Sequence, residues 1–438
     1  MIQIKRQPIP GQIPARIAVG VALLFFLHLL PPALAAQDGK NGERWVGTWT
    51  TANLARAPQS QPQPGQTAAA PQPFLNFNNQ TLRQIVRTSI GGERVRVVLT
   101  NTFGTAPLAI GAARVALRDK GAAIVPQSDR ALTFGGAAAI AIPAGAVIVS
   151  DPVNLGVASF ADLAVDIYLP ENTGSGTSPL TMHNVAVQTN YVSPAGNHAG
   201  AADMPVMTTT QNWFFLARVE VMAPEQVGVL VAFGDSITDG TRSTPDTNNR
   251  WPNHLAKRLT AQNIKMGVLN AGIAANRVLS EGTGVNALAR FDRDVLVQPG
   301  VSHVVVLEGI NDIRNSPMMT AADLIVGYRQ LIERARTLGL KVYGATLLPC
   351  EGANNCTPET EVKRKAVNEW IRTSKAYDSV IDFDAVIRDP KSPSKMLPEY
   401  DSSDHLHPSD AGYQAMANAI DLELFKAGAA VLSRSPSR

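Results

Sequence analysis

Cysteine is nearly absent, with two residues in 438, too few for a disulfide scaffold or a thiolate metal cluster. Charge is scarce, at 17% of residues, and aromatic side chains make up 6%. No internal repeat is visible. Net charge is missing once the N-terminus is set aside. The formal +3 comes from Lys5, Arg6 and Arg16, because residues 1–35 hold no acidic side chain. Taking those three from 39 basic residues leaves 36 against 36 acidic ones. Such a balance gives no electrostatic footprint for nucleic acid or an anionic membrane. What is present, 45% hydrophobic residues with 34 Gly and 30 Pro, is ordinary globular composition. It excludes a collagen, a coiled coil and a mainly disordered chain.

The N-terminus reads as an export signal. Lys5, Arg6 and Arg16 precede the apolar run Ile17–Leu30, then Pro31-Pro32 and the small-residue site Ala33-Leu34-Ala35, so cleavage is expected after Ala35. The run is broken by His28 and falls short of the ~18–20 residues a membrane-spanning helix needs. No stable membrane anchor is expected, and the mature chain is expected to be secreted or periplasmic. Cys350 and Cys356 would then face an oxidising compartment. Their spacing allows a small closed loop, worth about 2 kcal/mol in the chain-entropy model, or two free thiols.

The mature sequence changes period near residue 225. Residues 44–222 hold short alternating runs broken by Gly, Pro and Asn, and predict an antiparallel β-sandwich of jelly-roll type. Thr81–Ile90 and Arg94–Asn101 flank Gly91-Gly92-Glu93 and read as a hairpin. Further strands are expected at Arg114–Arg118, Ala146–Val149, Leu163–Leu169 and Trp213–Val221, and a Pro-, Gln- and Ala-rich loop at Ala55–Pro73. His183 and Trp213 read as core or strand-face residues.

Residues 227–430 read differently. The apolar runs Val227–Phe233, Val268–Leu269, His303–Leu307, Val342–Leu348 and Val380–Phe383 alternate with helical segments at Asn249–Ala261, Thr320–Leu338, Thr357–Thr373 and Pro408–Phe425. Strands alternating with helices predict a five-stranded, doubly wound parallel sheet.

Ligands of such sheets bind beyond the carboxyl ends of the strands. The first strand is followed by Gly234-Asp235-Ser236-Ile237-Thr238-Asp239-Gly240, the second by Asn270-Ala271-Gly272, and the third by Gly309-Ile310-Asn311-Asp312. Past the fifth comes Asp404-His405-Leu406-His407-Pro408. A serine hydroxyl is a weak nucleophile until an imidazole takes its proton, and the imidazole needs a carboxylate to fix its tautomer. Asp404, three residues before His407, suits that part. The Ser236 and Gly272 N–H groups and the Asn311 amide would supply an oxyanion hole. Asp235 and Asp239 read as Asx-type braces of the loop. Asp401 and His405 read as solvated loop residues, and Arg242 and Arg277 as surface residues or anchors for a substrate anion. Asp404, His405 and His407 lack the second cluster a metal site would want.

These four blocks resemble the SGNH (GDSL-type) hydrolase family, named for Ser, Gly, Asn and His in four motifs. The phrases WVGTWTTA (45–52) and LHPSDAGYQAMANAI (406–420) are similar to its secreted two-domain branch, where a β-domain precedes the hydrolase. The resemblance implies a flavodoxin-like catalytic fold, Ser236 as nucleophile, His407 as base and Asp404 as its partner. It also implies Gly272 and Asn311 in the oxyanion hole, and no cofactor. Ala274-Ala275 depart from the small Ser/Gly pair that many relatives carry after the block-two glycine. The expectation is a secreted serine esterase acting on a small-molecule or polymer-borne ester. Alternatives are an acetyl esterase acting on polysaccharide and, outside enzymes, a glycan-binding or adhesion protein with a vestigial hydrolase.

Overall fold

The structure is a computed structural model that describes residues 42–55, 76–173 and 180–426. The expected export signal and residues 56–73 of the Pro-rich loop lie outside the described residues. The described residues pack as one compact unit. Among the described residues no helix is long and apolar enough to cross a membrane.

Antiparallel sheets fill the first half. One runs Glu43–Thr50, Leu216–Pro224, Gly92–Thr100, Val153–Val157, with Val147–Val149 also paired to Gly92–Thr100. A second runs Thr208–Thr210, Asn190–Ala195, Gln80–Arg87, Asp162–Leu169, Ala112–Leu117, Arg130–Leu132. A small third sheet joins Trp213–Phe214, Thr181–His183 and Leu54–Ala55.

The expected hairpin at Gly91-Gly92 does not form. Gln80–Arg87 pairs with Asp162–Leu169 and Asn190–Ala195, whereas Gly92–Thr100 lies in the other sheet. A two-residue hairpin turn wants left-handed backbone at its glycines, and neither Gly91 nor Gly92 has it. The chain instead crosses between sheets, with the Ser89 N–H donating to the Thr48 carbonyl at 2.9 Å. A Cβ at Gly91 would fall 2.3 Å from the Val157 carbonyl oxygen, so close packing explains that glycine. The run expected as one strand at Trp213–Val221 is likewise two, split at Phe215, whose φ is 55°.

The second half is a parallel sheet in the order Met266–Gly272, Gly228–Gly234, Val301–Leu307, Lys341–Ala345, Ser379–Ile381. In chain order that is 2-1-3-4-5, the flavodoxin-like arrangement, so connections leave the first strand toward both faces and a crevice opens at its carboxyl end. Helices Trp251–Ala261, Ala321–Thr337, Pro358–Thr373 and Asp410–Ala419 flank the sheet. Their starts are written locally: Thr320 and Asp323 form a capping box, and Thr357 and Ser409 cap the two later helices. The last segment was expected as a single helix, Pro408–Phe425. It breaks at Ile420, where Arg258 donates to the Ala417 and Ile420 carbonyls and Asp421 caps a separate short turn, Leu422–Phe425.

The halves share one hydrophobic core. Met266–Gly272 is an edge strand, and two of its N–H groups are met by side chains. Val268 N–H donates to Ser89 Oγ at 3.0 Å and Gly272 N–H to Asn270 Oδ1 at 2.9 Å. Such coverage removes an edge that would otherwise template aggregation.

Candidate active site

Ser236 opens a four-residue helical turn, Ser236–Asp239, directly after the first parallel strand. Asp235 caps it, its Oδ1 accepting from Ile237 N–H at 3.0 Å, which is the Asx brace expected of it. Gly240, with φ of +97°, ends the turn against the Arg250 side chain. The Ser236 N–H is one of the donors that a helix start leaves without an internal partner.

Ser236 Oγ lies 2.8 Å from His407 Nε2, and His407 Nδ1 lies 2.7 Å from Asp404 Oδ2. Asp404 Oδ1 accepts the Leu406 and His407 N–H groups at 3.0 and 2.9 Å, so a tight turn folds the carboxylate onto the ring. An ionised carboxylate only accepts, so Nδ1 carries the proton and Nε2 is left to accept from the serine hydroxyl. Burial alone would raise the Asp404 carboxyl. Hydrogen bonds from the His407 ring and backbone, and the ring's charge, outweigh it and hold Asp404 far below its ordinary range. For His407 burial is the largest influence and lowers its pKa; Asp404 opposes this, and the Arg314 and Arg242 guanidiniums add to the lowering. The imidazole is therefore neutral near pH 7, as a base must be.

Gly272 packs against the turn itself. A Cβ there would lie 2.3 Å from Asp239 N and 2.9 Å from the Asp235 carbonyl oxygen. The glycine thus lets two backbone segments meet, and in this state its N–H is held by Asn270 Oδ1. Asn311 Nδ2 donates to the Asn276 carbonyl at 3.1 Å and its Oδ1 accepts from Arg314 Nη1 at 3.3 Å. One Nδ2 hydrogen remains for a ligand. Asp312 accepts the Val278 and Leu279 N–H groups at 2.8 and 2.9 Å and so ties the loop after Gly272 to this helix.

Several residues differ from the sequence expectation. Asp239 does not brace its own loop; its Oδ1 lies 3.0 Å from His183 Nε2, while His183 Nδ1 reaches the Ala52 carbonyl at 2.8 Å. His183 is a core residue, 1% exposed, yet it links the antiparallel half to the serine turn. Burial opposes its protonation, and the Asp239 charge and hydrogen bond outweigh that and raise its pKa. Arg242 Nε sits 3.0 Å from Asp404 Oδ2, sharing that oxygen with His407. Asp401 Oδ2 pairs with His405 Nδ1 at 2.5 Å. Arg277 stays beside its own loop, with Nη1 3.4 Å from Ser280 Oγ. Behind the serine, Arg290 is fully buried and donates to the Gly234 and Ala271 carbonyls, Asn276, Asp294 and Glu308. Apart from the i,i+4 pairs Arg290–Asp294 and Asp401–His405 and the i,i+3 contact of Arg277 with Ser280, no short spacing in the sequence announced these contacts. Cys350 and Cys356 are disulfide-bonded. Among the described residues no group of three or more His, Cys, Asp or Glu is placed to hold a metal ion.

Residues 232–415 match the model of the GDSL-like Lipase/Acylhydrolase family. This segment is a GDSL-like lipase/acylhydrolase domain. Solved structures are similar to part of the chain. A protein of the G-D-S-L family from Desulfitobacterium hafniense is 25% identical, over 44% of this chain and 96% of that one, with a TM-score of 0.35. The M. smegmatis aryl esterase is 19% identical, over 44% and 95%, at 0.36. A variant of an acetyl xylan esterase from Geobacillus stearothermophilus is 23% identical, over 46% and 97%, at 0.37. No curated protein matches the sequence. The match of residues 232–415 supports a hydrolase at the level of the family.

Proposed function

We propose that the protein is an exported serine esterase that cleaves carboxylic esters through an acyl-enzyme on Ser236. The observation that carries this reading is the unbroken relay Ser236 Oγ, His407 Nε2, His407 Nδ1, Asp404 Oδ2, at 2.8 and 2.7 Å. In the first half-reaction Ser236 Oγ bonds to the ester carbonyl carbon while His407 Nε2 takes the hydroxyl proton. The charge that builds on the carbonyl oxygen is met by the Ser236 N–H and the free Asn311 hydrogen. A full oxyanion is a stronger acceptor than a neutral amide oxygen, so it also draws the Gly272 N–H away from Asn270. His407 then returns the proton to the departing alcohol as the C–O bond breaks. Water then enters and gives a proton to His407 as its oxygen bonds to the acyl carbon; the acyl–Oγ bond breaks, His407 returns the proton to Ser236 Oγ, and the acid leaves.

Export is supported by the basic and apolar leader together with the Cys350–Cys356 disulfide, a bond that persists in oxidising compartments. The substrate is proposed as a small-molecule or polymer-borne ester, with no nucleic-acid partner. A fluorophosphonate probe with initial rates on p-nitrophenyl acetate, butyrate and octanoate tests the reading. Ser236→Ala and His407→Ala are each expected to lose at least ~10⁴-fold in kcat with native circular dichroism, and Ser236→Ala to lose labelling. Wild-type turnover in either folded variant would refute the assignment. Activity confined to acetate would point toward acetylated polysaccharide. An inert, unlabelled wild type would favour a binding protein.

A further inference from the structure

The seven-residue loop closed by Cys350 and Cys356 touches both sides of the site. Arg314 Nε donates to the Asn354 carbonyl at 3.2 Å, and Nη2 donates to the same oxygen. Asn355 Nδ2 donates to Asn315 Oδ1 at 3.0 Å. Both partners belong to the short helix Ile310–Asn315, which carries Asn311. On the other side Gly352, with φ of +105°, lies against the His405 ring, where a Cβ would come within 2.8 Å. His405 is two residues from His407. The loop is fixed internally by the disulfide and by Ala353 N–H and Cys356 N–H donating to the Cys350 and Ala353 carbonyls.

Arg314 is the link. No carboxylate lies within ion-pair distance of it among the ion pairs of the described residues, so its guanidinium is committed to the loop carbonyl and to Asn311 Oδ1. An amide side chain has two near-equivalent orientations, and a neighbouring donor decides which end faces where. A guanidinium only donates, so it accepts Oδ1 as neighbour and rejects Nδ2. With Oδ1 held there and one Nδ2 hydrogen on the Asn276 carbonyl, the second Nδ2 hydrogen has a fixed direction.

We infer that Arg314, anchored by the disulfide-closed loop 350–356, is a positioning residue that sets the Asn311 amide as an oxyanion donor. The inference rests on the esterase reading above and adds a residue and a loop to it. Arg314 makes no contact with the reacting atoms; it acts through Asn311. Losing a whole oxyanion donor costs about 10²–10³ in kcat, so a misoriented Asn311 costs a large part of that.

The test uses the full chain and p-nitrophenyl acetate, with Ser236→Ala alongside. Arg314→Gln is expected to lower kcat at least ~10-fold while KM moves less than ~3-fold, because the donor acts on the transition state. It is also expected to move the acid limb of the kcat/KM profile upward, since one of the cations that lower His407 is gone. Arg314→Lys keeps the charge but not the fork, so it should restore the limb and leave kcat low. The limb reports the lost charge alone; a purely structural role would not give the split between kcat and KM. Cys350→Ser with Cys356→Ser, or wild type treated with a reductant, should lower kcat in the same direction and leave the limb in place. Wild-type kcat in Arg314→Gln, or in reduced protein whose thiols are titrated as free, overturns the inference. Should Arg314→Gln fail to fold, the reduced wild type and Arg314→Lys decide alone. Activity in Ser236→Ala would sink the esterase reading itself. An inactive Ser236→Ala beside a wild-type-like Arg314→Gln would sink only this inference.

Discussion

Asp235 offers a quantitative test of how the serine turn is built. The residue is 1% exposed, and its Oδ2 has no hydrogen-bond partner. Burial pushes its carboxyl from 3.8 up to about 7; the neighbouring Asp312 pushes the same way, while Ile237 N–H, Arg314 and Arg290 oppose it. In the folded protein the group keeps its proton, whereas in the unfolded chain it releases it near its ordinary value. Between those two values the unfolded state binds fewer protons, so stability falls as pH rises. A rise of roughly three pK units at ~1.4 kcal/mol each is a loss of ~4 kcal/mol, complete once pH exceeds about 7. Asp235→Asn removes this titration and keeps an oxygen for Ile237 N–H. Its new amide NH₂ sits where Oδ2 was unpartnered and costs ~1–3 kcal/mol at every pH, so the signal is the slope and not the absolute stability. Glu308 is also buried, and its own carboxyl is raised, in part by the Asp235 charge; relieving it acts in the same direction. Urea unfolding of both proteins at intervals from about pH 4 to about pH 8 gives the two slopes. The wild type should fall by several kcal/mol more than the variant. Parallel curves would show that Asp235 is already ionised in the fold, and the account of the turn would be wrong.

Two further outcomes follow from the same region. His183→Phe leaves Asp239 buried without its imidazole partner, and removing one member of a buried pair costs ~3–5 kcal/mol; a denaturation midpoint unchanged from wild type would refute the link described here. Gly272→Ala places a methyl 2.3 Å from Asp239 N, against backbone that cannot swing aside. It should unfold at least ~10 °C lower or fail to fold, being overpacking against main chain, and an unchanged melting temperature would show that the turn gives way.

The alternation of parallel strands with helices and the shared rim of Ser236, Gly272 and Asn311 were legible because each of those three motifs directly follows an apolar run; the strand order came only with the family resemblance, and Asp404 and His407 were placed by their position before the last helix. The helix starts were legible for a similar reason, since Thr320 and Thr357 act on donors three residues away. What could not be read depends on packing between distant segments. Gly91 and Gly92 look like a turn pair, but the obstacle that dictates their backbone is the Val157 carbonyl. His183 and Asp239 are 56 residues apart, and Arg242 and Asp404 are 162 apart; neither spacing carries a periodic signal. The Asn270 side chain that holds Gly272 N–H follows from the strand's position at the sheet edge, which composition does not reveal.

The way the two halves interlock constrains how this chain can be made. Glu43–Thr50 finds its hydrogen-bonding partner in Leu216–Pro224, Arg44 reaches the Val227 carbonyl 183 residues away, and Gly47 N–H donates to the Pro299 carbonyl. Contacts of such separation close large loops and slow folding. The first described strand therefore stays unpaired until about half of the polypeptide has been synthesised. The bond from Gly47 waits longer still, for Pro299 beyond the first two strands of the parallel sheet, so for this chain the N-terminal strand is completed only as the second half is made.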